Sequence, residues 1–372
     1  MLSEYKILKD IYRNKKQFSE SVKECKAYKI IDAEIRVNWK CNANCVMCGL
    51  HNYIYDSETE RRDELSFNEI TKVLDGIYNL GCKAVTLSGG EPTIRKDLVD
   101  IIAYASKKKM TVSLNTNAFA INEELLDKYL EAGLNNITIS VLSPVEEIND
   151  RLMGKQGISN NTKKLLKYIA DKNNHSQTKL HVFINNVILR DNIDSFEKYV
   201  EYFEKYSVDN ISFTIASINA EWDEWTAQNE SLRPTIEQIE KFKTITIPYL
   251  NENAKIENEI SDPYTEDLEK NSHVIFEKKY KNCFIPWSYT IIQSNGDVIP
   301  CCYAPDEYIL GNIREKGIEE IWNDKKYEEF RNTVNLGIDM KMCQSCKEYC
   351  EINNKINKAI KGENDYDGEK RI

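Results

Sequence analysis

The sequence has little histidine, no excess of positive charge and no long apolar run, and each absence argues against a class of protein. Its 372 residues include four histidines, none paired in a two-histidine box with a neighbouring carboxylate, so a histidine-based metal site is not expected. Lysine and arginine total 50 against 60 aspartates and glutamates, and the net charge of −10 repels nucleic acid and anionic membranes. No stretch approaches the run of about 20 apolar residues that spans a bilayer.

The eleven cysteines are expected to lie in a reducing compartment. Residues 1–18 are polar and charged and contain no secretory signal, which predicts a cytoplasmic protein with no nucleic-acid or membrane partner. Thiols stay reduced there, so disulfides are not expected. Most of the cysteines cluster, and this indicates ligation of zinc or an iron–sulfur cluster by thiolates. The clusters are Cys41/Cys45/Cys48, Cys283, Cys301/Cys302 and Cys343/Cys346/Cys350.

Short apolar segments alternate with amphipathic ones from residue 33 to about residue 220. The pattern predicts six strand–helix units, from a strand at 33–39 to a strand at 210–217. Strands separated by helices indicate an α/β fold with a parallel sheet buried on both faces. Six units fit a partial (β/α)6 TIM-like barrel better than a closed ring of eight, and in such folds the chemistry lies at the carboxyl ends of the strands.

The remaining sequence predicts a lead-in helix, a connector, a small C-terminal α+β domain and a tail. Residues 283–302 indicate a β-hairpin, because Asn295 and Gly296 form a strong turn signal. The last dozen residues are polar and are predicted to be disordered. The predicted ranges are 1–32 for the lead-in helix, 33–220 for the barrel, 221–280 for the connector, 281–352 for the small domain and 353–372 for the tail.

Three cysteines with the spacing C-x3-C-x2-C follow the first predicted strand. Cys41, Cys45 and Cys48 begin the loop at the strand end, where a barrel places its chemistry. Three thiolates on one loop can bind one face of an iron–sulfur cubane and leave one iron open, whereas four would close its coordination shell. A zinc knuckle that lacks its fourth ligand, or a chance spacing, is the alternative interpretation.

With LSGGEP at residues 87–92, the end of the second predicted strand, the sequence resembles the radical SAM superfamily. Its members carry C-x3-C-x2-C after the first strand of a partial (β/α)6 barrel and a GGEP-type run after the second. The resemblance implies a 4Fe–4S cluster whose open iron chelates S-adenosylmethionine (SAM). An electron that originates from an external donor such as flavodoxin or ferredoxin would cleave SAM to a 5′-deoxyadenosyl radical, which abstracts a substrate hydrogen atom.

The resemblance also implies SAM-binding roles around these two motifs. Gly89 and Gly90 are expected to let the backbone approach SAM, and Glu91 to hold its ammonium group. Met47, just before the third cysteine, is expected to pack on the adenine.

Further SAM contacts are expected at the ends of the third and fourth strands. Thr116 and Asn117 end the third predicted strand and Ser140 lies towards the end of the fourth, where similar enzymes contact the ribose and methionine portions. Arg95 and Arg151 are candidates to hold a carboxylate of SAM or of the substrate. For each of these polar residues taken alone, a cap, a turn or a surface ion pair is an equally open interpretation.

The cysteines near the C-terminus form a second set. Cys283, Cys301 after the predicted hairpin turn, and then Cys343 and Cys346 resemble the SPASM/twitch extension of the same superfamily. The hairpin would supply two thiolates and a later turn two more. Four ligands imply a closed auxiliary 4Fe–4S cluster that transfers electrons. A structural zinc site on the same four cysteines is the alternative.

Two further cysteines bear on the type of this extension. The longer SPASM form carries more cysteines for a second auxiliary cluster, whereas here only Cys302 and Cys350 remain nearby. The shorter twitch type with one auxiliary cluster is therefore favoured. Cys302 is interpreted as an ordinary hairpin side chain. Cys350 is interpreted as a surface residue, a hydrogen-atom donor or an alternative cluster ligand.

Three functions stay open. The favoured one is an oxidoreductase that removes two electrons from a small hydroxylated metabolite, such as a sugar or aminocyclitol, and passes one to the auxiliary cluster. The second is a maturase that crosslinks or epimerises a ribosomally made peptide, since most relatives with this extension act on peptides or proteins. The sequence predicts no leader-binding domain before the barrel, although such a domain can be a separate protein. The third is a non-catalytic zinc or metal scaffold, in which LSGGEP would have no role.

Overall fold

The computed structural model describes residues 2–48, 63–206, 208–215, 230–253, 257–259, 283–302, 304, 308–337, 340, 343 and 350–361. Within these residues the fold is α/β, with ten strands in one mostly parallel sheet. The strands are β1 Asp32–Asn38, β2 Ala84–Gly89, β3 Thr111–Thr116, β4 Asn136–Ser140, β5 His181–Ile188, β6 Asn210–Ile215, β7 Glu257–Glu259, β8 Tyr289–Ile292, β9 Asp297–Ile299 and β10 Gly311–Asn312.

Helices alternate with the strands through the barrel and dominate both ends of the chain. A π-helical turn, Phe242–Thr246, joins α9 to α10. No described helix has both the length and the apolar character needed to cross a bilayer. The α-helices are α1 Leu2–Arg13, α2 Lys15–Lys23, α3 Phe67–Asn79, α4 Leu98–Lys107, α5 Glu123–Ala132, α6 Glu146–Leu152, α7 Ile158–His175, α8 Phe196–Phe203, α9 Ile236–Lys241, α10 Ile247–Asn253, α11 Ile318–Asn323, α12 Lys325–Asn335 and α13 Cys350–Lys361.

The strand order is β10-β9-β8-β1-β2-β3-β4-β5-β6-β7. Neighbours from β8 to β7 in this order pair in parallel, and β8, β9 and β10 pair antiparallel. All six predicted barrel strands are present. Two further strands also pair in parallel: β7, which lies in the range assigned to the connector, and β8, which belongs to the hairpin. The hairpin is confirmed, with Gly296 at φ +93° in its turn.

The two faces of the sheet differ in chemistry, which corrects the expectation that both are buried. Side chains such as Ile35, Leu87 and Leu114 belong to the same apolar core as the inward-facing residues of the helices, so the helices cover this outer face. The alternate residues form the inner face and are mostly polar and partly exposed. These residues form rows that lie in register across neighbouring strands. The rows are Glu34, Thr86, Ser113 and Asn136; Asn115, Thr138, Phe183 and Asn210; Ser140, Asn185 and Ser212; and Arg36 beside Ser88.

The helix at the end of the chain corrects the predicted polar tail. Residues 353–361 belong to α13, and Ile352 and Ile356 are buried in the main core. The buried Asn353 side chain accepts a hydrogen bond from Phe284 N at 2.7 Å. Apolar residues at helical spacing explain why this stretch folds onto the domain. The last eleven residues of the predicted tail, 362–372, lie outside the described residues.

Two tryptophans join the C-terminal region to the N-terminal segment. Trp287 is fully buried and donates from Nε1 to Ser21 O at 3.2 Å. Trp322 is equally buried and donates to Tyr28 O at 2.8 Å. Within the C-terminal region, the Arg331 guanidinium lies 4.5 Å from the centre of the Trp322 ring, and burial lowers its pKa to about 10. The first and last parts of the chain therefore share one core.

Replacing Trp287 with alanine should weaken this junction. Truncating a fully buried tryptophan costs about 3–5 kcal/mol of unfolding free energy. The measurement is the midpoint of urea unfolding of the cluster-free protein. Leu336→Ala, at a residue that is 67% exposed, is the control and should change stability by less than about 0.5 kcal/mol. Equal midpoints for the two variants would contradict the role of Trp287.

The start of α3 is linked to the segment after β10. Ser66 and Glu69 form a capping box, and Arg314 Nε donates to Glu69 Oε1 at 2.6 Å. The hydrogen bonds from Arg314 and Ser66 lower the pKa of Glu69 from 4.5 to about 2. A carboxylate with a lowered pKa stabilises the fold above its ordinary pKa and loses this contribution as the pH falls through the folded value.

Glu69→Gln should therefore flatten the acid limb of the stability profile. We expect the cluster-free wild type to lose stability between pH 4.5 and about pH 2, and the variant to lose less across that window. Arg314→Gln, which removes the largest cause of the shift, should give the same flattening. The urea midpoint against pH is the measurement, and an unchanged acid limb in both variants would refute the linkage.

Candidate functional site

The loop that carries the three predicted ligands, Cys41 to Cys48, leaves the carboxyl end of β1 and is bonded on both sides to neighbouring backbone. On one side, Glu91 N donates to Lys40 O at 2.7 Å. On the other, Asn44 N donates to Met153 O at 3.1 Å, and Val46 N donates to Leu152 O at 2.9 Å. The loop is thereby held between the end of β2 and the turn after α6.

Two glycines allow these close approaches. A Cβ on Gly90 would lie 2.3 Å from the carbonyl oxygens of Trp39 and Lys40. A Cβ on Gly154 would lie 2.1 Å from Asn44 O, and Gly154 has φ +57°. Real Cβ atoms do not approach backbone oxygens so closely. The expected role of Gly90, to let the backbone approach SAM, stays a prediction. The structure adds a second reason for a glycine at this position, because its backbone packs against the carbonyl oxygens of Trp39 and Lys40.

The three thiols of the loop are close enough to affect one another. Burial raises the pKa of Cys41 and of Cys45, and Cys48 raises both further. Asn117 Nδ2 lies 3.8 Å from Cys41 Sγ. Among the described residues, no three cysteine, histidine or acidic side chains converge to the geometry of a bound metal ion. The case for an iron–sulfur cluster at this site therefore rests on the chemistry of its three possible ligands. They are cysteine sulphurs that would repel one another as thiolates, and a cationic cluster would relieve that repulsion.

Glu91 is fully buried beneath this loop and braces the ends of two strands. One carboxylate oxygen accepts from Thr93 N, Thr93 Oγ1 and Thr116 Oγ1, and the other accepts from Asn117 N at 2.7 Å. Burial raises the pKa of Glu91, and these four hydrogen bonds oppose the rise. Its predicted contact with the SAM ammonium stays a prediction; of the four hydrogen bonds only that from Asn117 N goes to Oε2, and a carboxylate oxygen can accept a second donor.

The other predicted contacts occupy different surroundings. Met47 is half-buried against a small apolar cluster at this end of the sheet, and Ser140 is half-buried on the inner face. Arg151 is 59% exposed and its Nη1 pairs with Asp191 at 2.5 Å, and its predicted contact with a carboxylate of SAM stays a prediction. Arg95 does hold a carboxylate, but it is that of Asp97, and its Nη1 also donates to two backbone carbonyls. Arg95 is thus a structural residue, which corrects its candidacy.

The auxiliary set is partly described. Cys301 is buried in the main core, and Cys283 and Cys343 are half-buried against it. Asn353 Nδ2 lies 3.7 Å from Cys283 Sγ, so α13 contributes to these surroundings. Cys346 lies outside the described residues, and the side chain of Cys350 does as well.

Sequence reasoning missed a polar cluster where the hairpin meets β1. Glu34 accepts from Ser88 Oγ at 2.6 Å, from Tyr289 OH at 3.1 Å and from Arg36 Nε at 3.2 Å. Burial raises the pKa of Tyr289 and Glu34 raises it further, and Cys302, interpreted as an ordinary hairpin side chain, is exposed. The alternation of polar and apolar residues in the sequence of β1 could have indicated this polar cluster.

Comparison with known families decides the class of the protein. Residues 39–203 match the radical SAM superfamily, and residues 283–348 match the SPASM iron–sulfur cluster-binding domain. The first range contains the three loop cysteines, and the second begins at Cys283. The chain belongs to the radical SAM superfamily. It is a radical SAM enzyme with a C-terminal SPASM domain, and its cofactors are 4Fe–4S clusters and SAM.

Named relatives of this radical SAM enzyme act on different substrates. It is 25% identical over 303 residues to Fe-coproporphyrin III synthase of Methanosarcina barkeri, which covers 77% of this chain and 71% of that protein. It is 25% identical over 316 residues to the PqqA peptide cyclase of Granulibacter bethesdensis, which covers 82% of this chain and 77% of that protein.

The fold is shared with SuiB of Streptococcus suis. The structure of SuiB bound to SAM superposes with a TM-score of 0.64 at 16% identity, over 92% of this chain and 78% of that one. SuiB bound to its precursor peptide SuiA gives a TM-score of 0.62 at 18% identity, over 92% and 76% of the two chains. This likeness confirms the predicted fold class.

Gly154→Ala should lower the amount of cluster that the protein binds. The new Cβ meets Asn44 O, so the Cys41–Cys48 loop must shift, and we expect less iron and sulfide after anaerobic reconstitution. Gly157→Ala is the matched control, since Gly157 also has a positive φ, +83°, but a Cβ there meets nothing within 4 Å. Both variants carry the same kind of backbone strain, about 1 kcal/mol. Equal cluster content in the two variants would contradict the packing role of Gly154.

Proposed function

We propose that this enzyme matures a ribosomally made peptide, by forming a crosslink or an epimer at a carbon from which a hydrogen atom has been removed. The similarity to a peptide cyclase over 82% of the chain is the observation that carries the proposal. The favoured expectation from the sequence, oxidation of a sugar or aminocyclitol, gains no support from the relatives named above. The finer assignment to an oxidoreductase is accordingly not retained.

The chemistry of the inner face supports a peptide substrate. The described inner face carries many amide and hydroxyl groups, among them Asn115, Asn185 and Ser212, which pair naturally with peptide N–H and C=O groups. Its charged pair, Glu34 and Arg36, is internally neutralised at 3.2 Å. A neutral, hydrogen-bonding surface suits a peptide segment in extended conformation.

A tetrapyrrole is the competing substrate class, because one relative is named Fe-coproporphyrin III synthase, an enzyme whose product is an iron porphyrin. A porphyrin presents a wide, flat apolar ring, which pockets bind mainly through apolar and aromatic side chains. On the described inner face the large apolar side chains include Phe183, whose register neighbours Thr138 and Asn210 are polar. This surface therefore favours the peptide over the porphyrin.

Within this proposal, different residues of the chain have different roles at the catalytic site. Cys41, Cys45 and Cys48 would hold the catalytic cluster, which when bound supplies the electron that cleaves SAM. The Asn117 amide lies beside the first of these sulphurs and would stabilise its thiolate as a donor. Glu91 positions that amide by accepting a hydrogen bond from its backbone N–H.

The auxiliary cysteines have a separate role in the proposal. Cys283, Cys301 and Cys343, together with Cys346, would hold a four-thiolate cluster on the far side of β1. Since β8 pairs directly with β1, this second site is tied to the strand that carries the catalytic loop. Such a site would take up the electron that a crosslinked product must lose.

Anaerobic incubation of the reconstituted enzyme with SAM, a reductant and the short peptides encoded beside its gene tests the proposal. We expect a peptide to lose two hydrogen atoms on crosslinking, or to gain one deuterium from heavy water on epimerisation, as measured by mass spectrometry. The Cys41→Ala/Cys45→Ala/Cys48→Ala variant is the control and should leave the peptide unchanged. Consumption of an iron porphyrin or an aminocyclitol, with every peptide intact, would overturn the proposal.

A further inference from the structure

The C-terminal helix α13 carries a fully buried asparagine, Asn353, that belongs to none of the cysteine motifs. It lies beyond residues 283–348, the range that matches the SPASM domain. Burying a side-chain amide costs free energy unless both of its ends form hydrogen bonds. The partners of the two ends therefore indicate what an asparagine does at this position.

The two ends of this amide contact two consecutive residues, and one of them is a predicted cluster ligand. Asn353 Oδ1 accepts a hydrogen bond from Phe284 N at 2.7 Å, and Asn353 Nδ2 lies 3.7 Å from Cys283 Sγ. A backbone N–H can only donate, so Phe284 fixes which end of the amide is the oxygen and directs the NH2 group at the sulphur. Since sulphur is larger than oxygen, this separation is that of an N–H···S hydrogen bond.

The core of the protein holds Asn353 in this place. Ile352 and Ile356, on the same helix, are buried in the main core, and α13 packs against α1 and α2. The donor therefore faces Cys283 Sγ through the packing of the helix, and its direction does not depend on a bound cluster. A ligand of a metal cluster is oriented and tuned by hydrogen bonds of this kind.

We propose that Asn353 is a positioning residue of the auxiliary cluster, which orients Cys283 as a ligand and raises the reduction potential of the cluster through its N–H···S hydrogen bond. A thiolate that accepts a hydrogen bond donates less charge to the irons, and this stabilises the reduced cluster, which carries one more negative charge than the oxidised one.

The inference rests on Cys283 as a ligand of the auxiliary cluster, within the proposed function, and it does not depend on whether the substrate is a peptide. In that function a higher potential would favour uptake of the electron that a crosslinked product must lose.

The test is a redox titration, monitored by EPR, of the full chain with the auxiliary cluster alone. The Cys41→Ala/Cys45→Ala/Cys48→Ala chain, reconstituted anaerobically, should hold about four irons and a single EPR signal. In this background Asn353→Leu removes the N–H donor at similar size and adds no charge. The equilibrium constant for one-electron reduction should fall by about three- to tenfold, which is a shift of about 30–60 mV to lower potential.

Asn173 on α7 provides the matched control. Its Oδ1 accepts from Leu180 N at 2.9 Å and its Nδ2 donates to Leu180 O at 2.8 Å, so it contacts a carbonyl where Asn353 contacts a sulphur. Asn173→Leu should likewise leave a buried backbone N–H without its acceptor, and the potential should stay unchanged. Asn353→Asp keeps the acceptor for Phe284 N and replaces the donor with a negative oxygen, so it should lower the potential more than Asn353→Leu does.

A spectroscopic measurement on the chain with Asn353 intact is independent of these shifts. With asparagine labelled by ¹⁵N at the side-chain amide, pulsed EPR of the reduced auxiliary cluster should show a weak coupling to one amide nitrogen. The coupling should be absent from Asn353→Asp and present in Asn173→Leu. If Asn353→Leu binds no cluster while Asn173→Leu does, the positioning role is supported, and the nitrogen coupling decides the hydrogen bond.

Several outcomes would overturn the inference. An unchanged potential in Asn353→Leu, an equal shift in Asn173→Leu, or no nitrogen coupling in the chain with Asn353 intact would each show that the hydrogen bond does not act on the cluster. A Cys283→Ala chain with full iron content and the same EPR signal would show that Cys283 is no ligand. Failure of the proposed function is distinguishable, because an enzyme that modifies no peptide would still show the shift in potential.

Discussion

The site depends on the close contact of backbone with backbone on both sides of one loop. Gly90, directly after β2, and Gly154, after α6, approach the Cys41–Cys48 loop so closely that no side chain fits at either position. Hydrogen bonds then fix the spacing, and Glu91 holds the ends of β2 and β3 together underneath. The three cysteine side chains stay neighbours because these contacts fix the loop on both sides.

Much of the fold and the core of the site could be predicted from the sequence. The six barrel strands, the hairpin and the loop cysteines follow from local patterns, namely apolar periodicity, the Asn295-Gly296 turn and the spacing of three cysteines. Each of these signals spans only a few residues. The match to two family domains confirms the class, with the catalytic cysteines inside the first range.

What could not be predicted depends on contacts between distant segments. Nothing near Gly154 in the sequence indicates that it packs on Asn44, and nothing near Arg95 indicates that Asp97 and two carbonyls occupy its guanidinium. The tail was taken as polar from its composition, although Ile352 and Ile356 provide an apolar stripe that needs a partner surface to be recognised. The alternation of polar and apolar residues in β3 indicated a polar inner face. The sequence analysis nevertheless predicted a sheet buried on both faces, because helices separate the strands.

The pairing of β1 with β8 has a consequence for how the enzyme is made. β1 begins at Asp32 and its partner at Tyr289, so one edge of the strand bearing the catalytic loop stays uncovered until most of the chain has been synthesised. Contacts this distant in sequence form slowly, and an open strand edge invites pairing with other chains. Pairing of β1 with β8 is thus a late event in synthesis, and a chain cut short before the hairpin would leave this edge of β1 open to aggregation.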